Sequence, residues 1–123
     1  MKILIVDDSR FLQNFLIKLF NQYLPEGEII VANDGLEAFE LYKKEKPDFV
    51  LTDLLMPKLN GQELIRLIKE YDKQANIIVI TADIQKSTRA EIFKLRALAF
   101  FNKPLTNETA AELITLIKET THA

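Results

Sequence analysis

Five short apolar runs alternate along the chain with five amphipathic helical patterns, and this order constrains the fold more than any other feature. The runs are mostly unbroken Ile, Val, Leu and Phe, which is typical of parallel strands buried on both faces. We predict five strands, at Lys2–Val6, Glu28–Ala32, Phe49–Thr52, Ile77–Thr81 and Leu98–Phe101. The repeated strand–helix order predicts a parallel α/β sheet. Five units are too few for an eight-stranded barrel, so we predict an open, doubly wound sheet.

Helix starts and core-facing stripes are readable between these strands. Ser9 is a predicted cap, and the pairs Asp34 with Glu37 and Asn60 with Glu63 have capping-box spacing. The fourth helix, roughly Gln85–Leu95, has the weakest pattern. The apolar residues predicted to face the core are Phe11, Phe15 and Phe20 in the first helix, Ala38, Leu41 and Tyr42 in the second, Leu64, Leu67, Ile68 and Tyr71 in the third, Ile92 and Phe93 in the fourth, and Ala110, Leu113, Ile114 and Ile117 in the fifth.

Size and charge favour one ordinary globular domain spanning residues 1–123. The apolar fraction is 48% and the charged fraction 28%, and the net charge of −2 gives no reason to expect binding to nucleic acid or to a membrane surface. The apolar runs are far shorter than the roughly 20 residues that span a bilayer. There is no cysteine, which suits the reducing cytoplasm where we expect the protein to reside.

Polar side chains end four of the predicted strands. Asp7 and Asp8 follow the first strand, Asp53 the third, and Lys103 closely follows the fifth, while Thr81 closes the fourth. In a doubly wound sheet these ends meet in one crevice. Each residue alone has a purely structural explanation, as a helix cap, a turn former, a strand-end hydroxyl or a solvated charge. Four matching strand ends together indicate a functional site.

The residue types in this crevice suit metal-assisted phosphoryl chemistry. Three carboxylates in one pocket repel each other, by about 4 kcal/mol for two charges about 4 Å apart at an effective dielectric of 20. A divalent cation resolves that conflict, and an all-oxygen ligand set suits Mg²⁺. A carboxylate can act as a nucleophile and form an aspartyl phosphate. A lysine ammonium and a threonine hydroxyl would then stabilise the phosphoryl oxygens.

With these residues in place, the chain resembles the receiver domain of two-component response regulators over essentially its whole length. The receiver fold is flavodoxin-like, with five helices and strand order 2-1-3-4-5. The segments that carry the resemblance are Ile5-Val-Asp-Asp-Ser-Arg10, Ala32-Asn-Asp-Gly-Leu-Glu-Ala38, Asp48-Phe-Val-Leu-Thr-Asp-Leu-Leu-Met-Pro57 with Gly61, Thr81-Ala82 and Lys103-Pro104.

The resemblance implies a role for each acidic residue of the crevice. Asp53 would accept a phosphoryl group from the phosphohistidine of a histidine kinase or a phosphotransfer protein. Asp8 and Asp53 would bind Mg²⁺ directly, Asp7 would assist, and the backbone carbonyl of Leu55 would be a further ligand. Lys103 would pair with the phosphoryl group. Such a chain is a signalling domain, whose only chemistry is its own phosphorylation and dephosphorylation.

The resemblance also implies a switch. Thr81 would move toward the phosphoryl group, and Phe100, the aromatic residue three before Lys103, would follow it inward. The surface that changes is usually formed by the fourth helix, the fifth strand and the fifth helix. Leu55 and Asp83, each two residues beyond a site residue, would tune the lifetime of the phosphorylated state. Because Leu55 is apolar and cannot orient water, we predict a long lifetime. The bond between Lys103 and Pro104 is typically cis in the family.

The chain departs from the family pattern before the fifth strand. The segment Arg96-Ala-Leu-Ala99 stands where the family often has Gly-Ala and two acids, and Phe100 stands where tyrosine is common. Two interpretations of the extra apolar residues are open. They form a docking surface for a protein partner or a second copy, or they pack inside an altered fourth helix. The residues concerned are Ile92, Leu95, Leu98 and Phe100.

Three functions compete at this point. The first is a stand-alone receiver of the chemotaxis type or of a phosphorelay, with a receiver cut from a longer regulator as its variant. The second is an aspartyl-phosphate phosphatase of the haloacid dehalogenase type, but Asp7-Asp8-Ser9 lacks that class's Asp-x-Asp-x-Thr spacing. The third is a flavin-binding module, but it needs a Ser/Thr/Gly-rich loop after the first strand, where two aspartates stand. We rank the receiver first.

Overall fold

A computed structural model describes residues 1–121 and shows five parallel strands alternating with five helices. Residues 122 and 123, the end of the predicted 1–123 domain, lie outside the described part. The strands are β1 (Lys2–Val6), β2 (Glu28–Ala32), β3 (Phe49–Thr52), β4 (Ile77–Thr81) and β5 (Ala99–Asn102). The helices are α1 (Arg10–Tyr23), α2 (Gly35–Glu45), α3 (Gly61–Tyr71), α4 (Lys86–Lys94) and α5 (Asn107–Thr121).

The sheet order is β2-β1-β3-β4-β5, with every pairing parallel, so the predicted doubly wound topology is confirmed. Four strands have the predicted bounds, and the fifth is shifted by one residue. Leu98 was predicted to begin β5, but the strand begins at Ala99, and the N–H of Leu98 donates to the carbonyl of Ile77 at 2.7 Å. Strand order reverses direction at β1 and β3, which places the crevice over the ends of these two strands.

Helices cover both faces of the sheet and form two apolar cores. On one face, α2, α3 and α4 pack over the sheet with Leu4, Val50 and Val79. On the other face, α1 and α5 pack over Ile5 and Leu51. The strands are therefore covered on both sides, as their unbroken apolar runs predict.

Three aromatic residues predicted to face the core do not do so. Phe11 is 83% exposed, because it lies in the first turn of α1, beyond the carboxyl end of β1, where there is little strand surface to cover. Tyr71, the last residue of α3, is 50% exposed, and Ile65 is buried instead. Phe93 of α4 is 43% exposed. The predicted stripe of α5 is confirmed, since its four residues are buried.

The helix caps are confirmed, but the reciprocal half of each capping box is not. The side chains of Ser9, Asp34 and Asn60 accept hydrogen bonds from backbone N–H groups of their first turns. Glu37 accepts from the N–H of Asn33 rather than from that of Asp34. Glu63 instead pairs with Arg66 along the helix.

Helix α4 is short and ends in a left-handed residue. Its only buried residue is Ile92, and its N-cap, Gln85, makes no side-chain hydrogen bond. The N–H of Ala97 donates to the carbonyl of Ile92, and Arg96 has φ 67. This is the reversal that glycine usually provides after a helix. Arg96 therefore adopts a backbone conformation that is strained for a residue other than glycine.

No helix within residues 1–121 combines the length and apolar character needed to cross a membrane.

Candidate functional site

Asp53 follows β3 at the carboxyl end of the sheet and is held by two elements. Asp53 is 8% exposed. Oδ1 accepts a hydrogen bond from the N–H of Leu54 at 2.6 Å, with the N–H of Leu55 more distant at 3.5 Å. Oδ2 accepts from Nζ of Lys103 at 2.8 Å. Both oxygens are thus oriented, one by the loop after β3 and the other by the loop after β5.

Lys103 bridges two carboxylates. Besides Asp53, its Nζ contacts Oδ2 of Asp7 at 2.9 Å. Burial disfavours the ammonium form, but hydrogen bonds and attraction from Asp53 and Asp7 outweigh it and raise the pKa of Lys103. The bond from Lys103 to Pro104 is cis, as the resemblance to the receiver family implies. In this state the lysine supplies the positive charge that the paired acids require.

The other two carboxylates predicted to bind a cation differ in their environments. Asp7 is 2% exposed, and its Oδ1 accepts from the N–H of Ser9 at 2.7 Å. Asp8 is exposed. Across residues 1–121, no three acidic or histidine side chains already converge in the geometry of a metal site. These carboxylates nevertheless suit Mg²⁺, because all their donor atoms are oxygen. The three acids also outnumber the single ammonium of Lys103, so negative charge remains for a cation to balance. Binding of the ion would require Lys103 to break its contacts with Asp7 and Asp53.

Thr81 is fully buried, and its contacts lead to α4. Its Oγ1 accepts from the N–H of Asp83 at 3.3 Å. The carboxylate of Asp83 in turn accepts from the N–H of Gln85 and from Oγ1 of Thr88, each at 2.9 Å. Asp83 therefore holds the first turn of α4, which has no side-chain cap of its own. A role for Asp83 in positioning water stays a prediction, and it would require these bonds to break.

Phe100 lies under an arginine from α4. The guanidinium carbon of Arg89 is 5.5 Å from the ring centre of Phe100 and 5.6 Å from that of Phe93. Phe100 is partly buried and packs against the core on its face of the sheet. An arginine over an aromatic face is attracted by its quadrupole. The ring therefore has a defined partner although it lacks a hydroxyl.

The four residues considered for docking do not form one exposed surface. Ile92 is completely buried, which excludes it from any docking surface, because it is the residue by which α4 packs onto the sheet. Leu95 and Phe100 pack partly against one core and Leu98 against the other. The exposed apolar residue of this region is Phe93. Internal packing therefore accounts for Ile92, and the remaining three are only partly available.

Two features of the crevice escaped the sequence prediction. The first is close packing at Gly61, where an added Cβ would lie 2.4 Å from the carbonyl oxygen of Asp53. The second is an apolar rim, which we define as Phe11, Leu55 and Ile84. These are 83%, 72% and 79% exposed and are the most exposed of the large hydrophobic side chains. They follow β1, β3 and β4, the three neighbouring strands that surround Asp53. Their position just beyond strand ends is the signal that could have identified them.

Comparison with known proteins decides the family. A model of the response regulator receiver domain matches residues 3–117. The chain belongs to the receiver domain family. Its site residues lie in the segments that carry the resemblance described above, and its strand order is the one expected of a receiver.

Individual relatives agree with this assignment. The receiver is 35% identical to the chemotaxis protein CheY of Halobacterium salinarum over 114 residues, covering 92% of each chain. It is 36% identical to sporulation initiation phosphotransferase F of Bacillus subtilis over 104 residues, covering 84% of this chain and 82% of that one. Among solved structures, a CheX–CheY–BeF3–Mg²⁺ complex from Borrelia burgdorferi matches with TM-score 0.85 and 32% identity, covering 98% of this chain and 89% of that one.

Proposed function

We propose that Asp53 is phosphorylated by the phosphohistidine of a histidine kinase or a phosphotransfer protein, and that the phosphorylated receiver signals by binding another protein. The observation that carries the proposal is the double contact of Lys103 with Asp53 and Asp7. A partly buried ammonium that touches the nucleophile is positioned to contact the phosphoryl group that Asp53 would carry.

The chemistry of the proposed transfer balances within the site. A carboxylate oxygen of Asp53 attacks phosphorus, the phosphorus–nitrogen bond of the donor breaks, and the electron pair remains on the imidazole nitrogen. Oδ1 is held by the N–H of Leu54, so the carboxylate is oriented before attack. Asp7, Asp8, Asp53 and the carbonyl of Leu55 are the groups that would hold Mg²⁺. When bound, the ion would neutralise charge on the transferring group.

The switch is proposed to run from Thr81 to α4. A phosphoryl group at Asp53 brings roughly −1.5 to −2 charge and new acceptor oxygens. If Thr81 turns toward it, the hydroxyl gives up the N–H of Asp83, whose carboxylate anchors α4. Phe100 would follow Thr81 only by leaving Arg89. One hydrogen bond to a charged group contributes about 1.5–3 kcal/mol, whereas a 1:99 to 99:1 shift needs about 5.5 kcal/mol. The partner must therefore supply the rest.

The apolar rim supports a protein donor over a small molecule. Its three residues are exposed, and they follow the strand that precedes Asp53 and the strands on either side of it. A small phosphoryl donor is too small to cover these three side chains, whereas protein interfaces are centred on buried apolar and aromatic residues. We propose that the phosphodonor docks on Phe11, Leu55 and Ile84.

The pathway is proposed from the relatives. Two CheY proteins and the sporulation phosphotransferase F match the chain over 82% to 98% of their own lengths. A chemotaxis-type or phosphorelay receiver that acts through the face of α4, β5 and α5 is therefore preferred, either on a partner or on a second copy. A receiver from a longer regulator with its own output domain is the alternative. It is favoured by the glutamate methylesterases that match this chain over 34% of their length.

Phosphorylation is tested by incubating the protein with acetyl phosphate and Mg²⁺ and measuring its intact mass. We expect an increment of one phosphate, lost with EDTA and in Asp53→Asn. Asp48→Asn is the matched control, since it changes an exposed aspartate at the other end of β3, and it should still be labelled. Folded protein that binds Mg²⁺ but gains no phosphate would contradict the proposal.

A further inference from the structure

The side chain of Gln13, in the first turn of α1, reaches back to the acids that follow β1. Its Nε2 donates a hydrogen bond to the backbone carbonyl of Asp7 and a second one to Oδ1 of Asn33, at 3.0 Å. Asn33 lies between β2 and α2. Both hydrogens of the amide nitrogen are therefore used. One side chain thus ties α1 to the loop after β1 and to the loop after β2, and the proposed phosphotransfer gives it no part.

The three oxygen atoms of Asp7 each accept a hydrogen bond from a different residue. Oδ1 accepts from the N–H of Ser9, and Oδ2 accepts from Nζ of Lys103. The backbone carbonyl accepts from Gln13. That carbonyl belongs to the planar peptide unit that joins Asp7 to Asp8. Gln13 therefore fixes the orientation of the peptide that carries both acids, whereas Ser9 and Lys103 hold a single carboxylate.

The contact of Gln13 matters most when a cation enters the crevice. Binding of Mg²⁺ would require Lys103 to leave Asp7, so the carboxylate of Asp7 would lose one of its two partners. Neither hydrogen bond of Gln13 uses an atom that would bind the ion, since one goes to a backbone carbonyl and the other to the amide of Asn33. Both bonds can therefore persist while the ammonium is exchanged for the ion, and the two acids stay in place.

We infer that Gln13 is a positioning residue of the metal site, which holds the peptide between Asp7 and Asp8 in the arrangement that binds Mg²⁺. The inference rests on the proposed function, because Mg²⁺ is the ion that this site is proposed to bind. Asn33 fixes the Gln13 amide and is itself held, since its N–H donates to Oε1 of Glu37 at 2.8 Å. Groups that orient metal ligands without touching the metal typically change its affinity by about 10-fold to 100-fold when they are removed.

Calorimetric titration of the full chain with MgCl₂, without a phosphoryl donor, tests the inference. In Gln13→Met a side chain of similar length donates no hydrogen bond, and the dissociation constant for Mg²⁺ should rise about tenfold. Asn33→Ala removes the second contact alone and should raise it about threefold. Added to Gln13→Met, Asn33→Ala should have no further effect, because the two residues act through one contact. Gln22→Met makes the same substitution at an exposed position of α1 and is the matched control; it should bind Mg²⁺ as the wild type does.

A second readout separates positioning from general stability. When the rate of acetyl phosphate labelling is measured against Mg²⁺ concentration, Gln13→Met should need about tenfold more Mg²⁺ for half its limiting rate, and that limiting rate should stay within about twofold of the wild type. Circular dichroism verifies folding, and if Gln13→Met is unfolded, Asn33→Ala decides alone. Unchanged Mg²⁺ affinity in the folded variant, or a lower limiting rate with unchanged half-saturation, would overturn the inference and leave phosphorylation of Asp53 standing. A wild type that binds no Mg²⁺ would overturn both.

Discussion

Removing the ammonium of Lys103 should change the stability of the protein by an amount that follows from the contacts of this residue. In Lys103→Met a side chain of similar length fills the space, but Asp7 and Asp53 lose the cation between them. Two hydrogen bonds to charged groups contribute about 1.5–3 kcal/mol each, and the desolvation of Lys103 offsets part of that sum. The carboxylates then repel each other by as much as about 4 kcal/mol. We expect the variant to be less stable by about 3 kcal/mol.

The assay is urea unfolding at neutral pH, in EDTA and in excess Mg²⁺. In EDTA the variant should lose about 3 kcal/mol, or about 10 °C in its thermal midpoint. In Mg²⁺ most of this loss should disappear, because the ion takes the place of the ammonium and binds more tightly without its competitor. Lys58→Met is the matched control. The Lys58 side chain is 64% exposed, and its Nζ lies 3.6 Å from a carboxylate oxygen of Asp34. Removing this exposed ion pair should have no measurable effect on stability.

The wild type adds a check by pH. The pKa of Lys103 is raised above 10.5 in the folded protein. Its contribution to stability should therefore be fully present below about pH 10 and should be lost as the pH rises through the folded value. If Lys103→Met is as stable as the wild type in EDTA, or is equally destabilised with and without Mg²⁺, the account of the charge balance at the site is wrong.

Three further substitutions follow from the packing. Gly61→Ala should cost about 1–3 kcal/mol and slow acetyl phosphate labelling, since the new Cβ displaces the backbone of Asp53; Gly27→Ala, whose nearest contact is 3.2 Å, should cost less, and equal losses would contradict this. Arg96→Gly should raise stability in urea by about 1 kcal/mol, because φ 67 is strained for arginine; an unchanged midpoint would remove the strain argument. Phe11→Ser should slow phosphotransfer from a histidine kinase that labels the wild type, by about tenfold, and leave acetyl phosphate labelling unchanged; equal effects on both donors would exclude a docking role.

Sequence patterns predicted the sheet well because a strand buried on both faces tolerates few residue types. The bounds of β1, β2, β3 and β4 were therefore visible as apolar runs ended by polar residues. The fifth strand was less well defined because Leu98 is apolar yet lies just before the first residue of β5. Helix faces were predictable where the helix lies over the sheet, as in α5. They failed at Phe11 and Tyr71, which stand at helix ends with little core beneath them.

The membership of the candidate site was predictable, but its contacts were not. Strand order alone brings Asp7, Asp53 and Lys103 to one edge. Spacing along the chain does not show that Lys103 joins the two acids, since that depends on how the loop after β5 folds back. Nor does it show that Asp83 anchors α4. These contacts depend on three-dimensional packing between segments distant in the sequence.

The position of the phosphoryl group tests the central claim most directly. After labelling with acetyl phosphate and Mg²⁺, borohydride reduces an aspartyl phosphate to homoserine, which peptide mass spectrometry can locate. We predict homoserine at residue 53 in the wild type and at no position in Asp53→Asn. Homoserine at residue 7 or 8, or labelling that persists in Asp53→Asn, would show that a different carboxylate is the acceptor and would contradict the account.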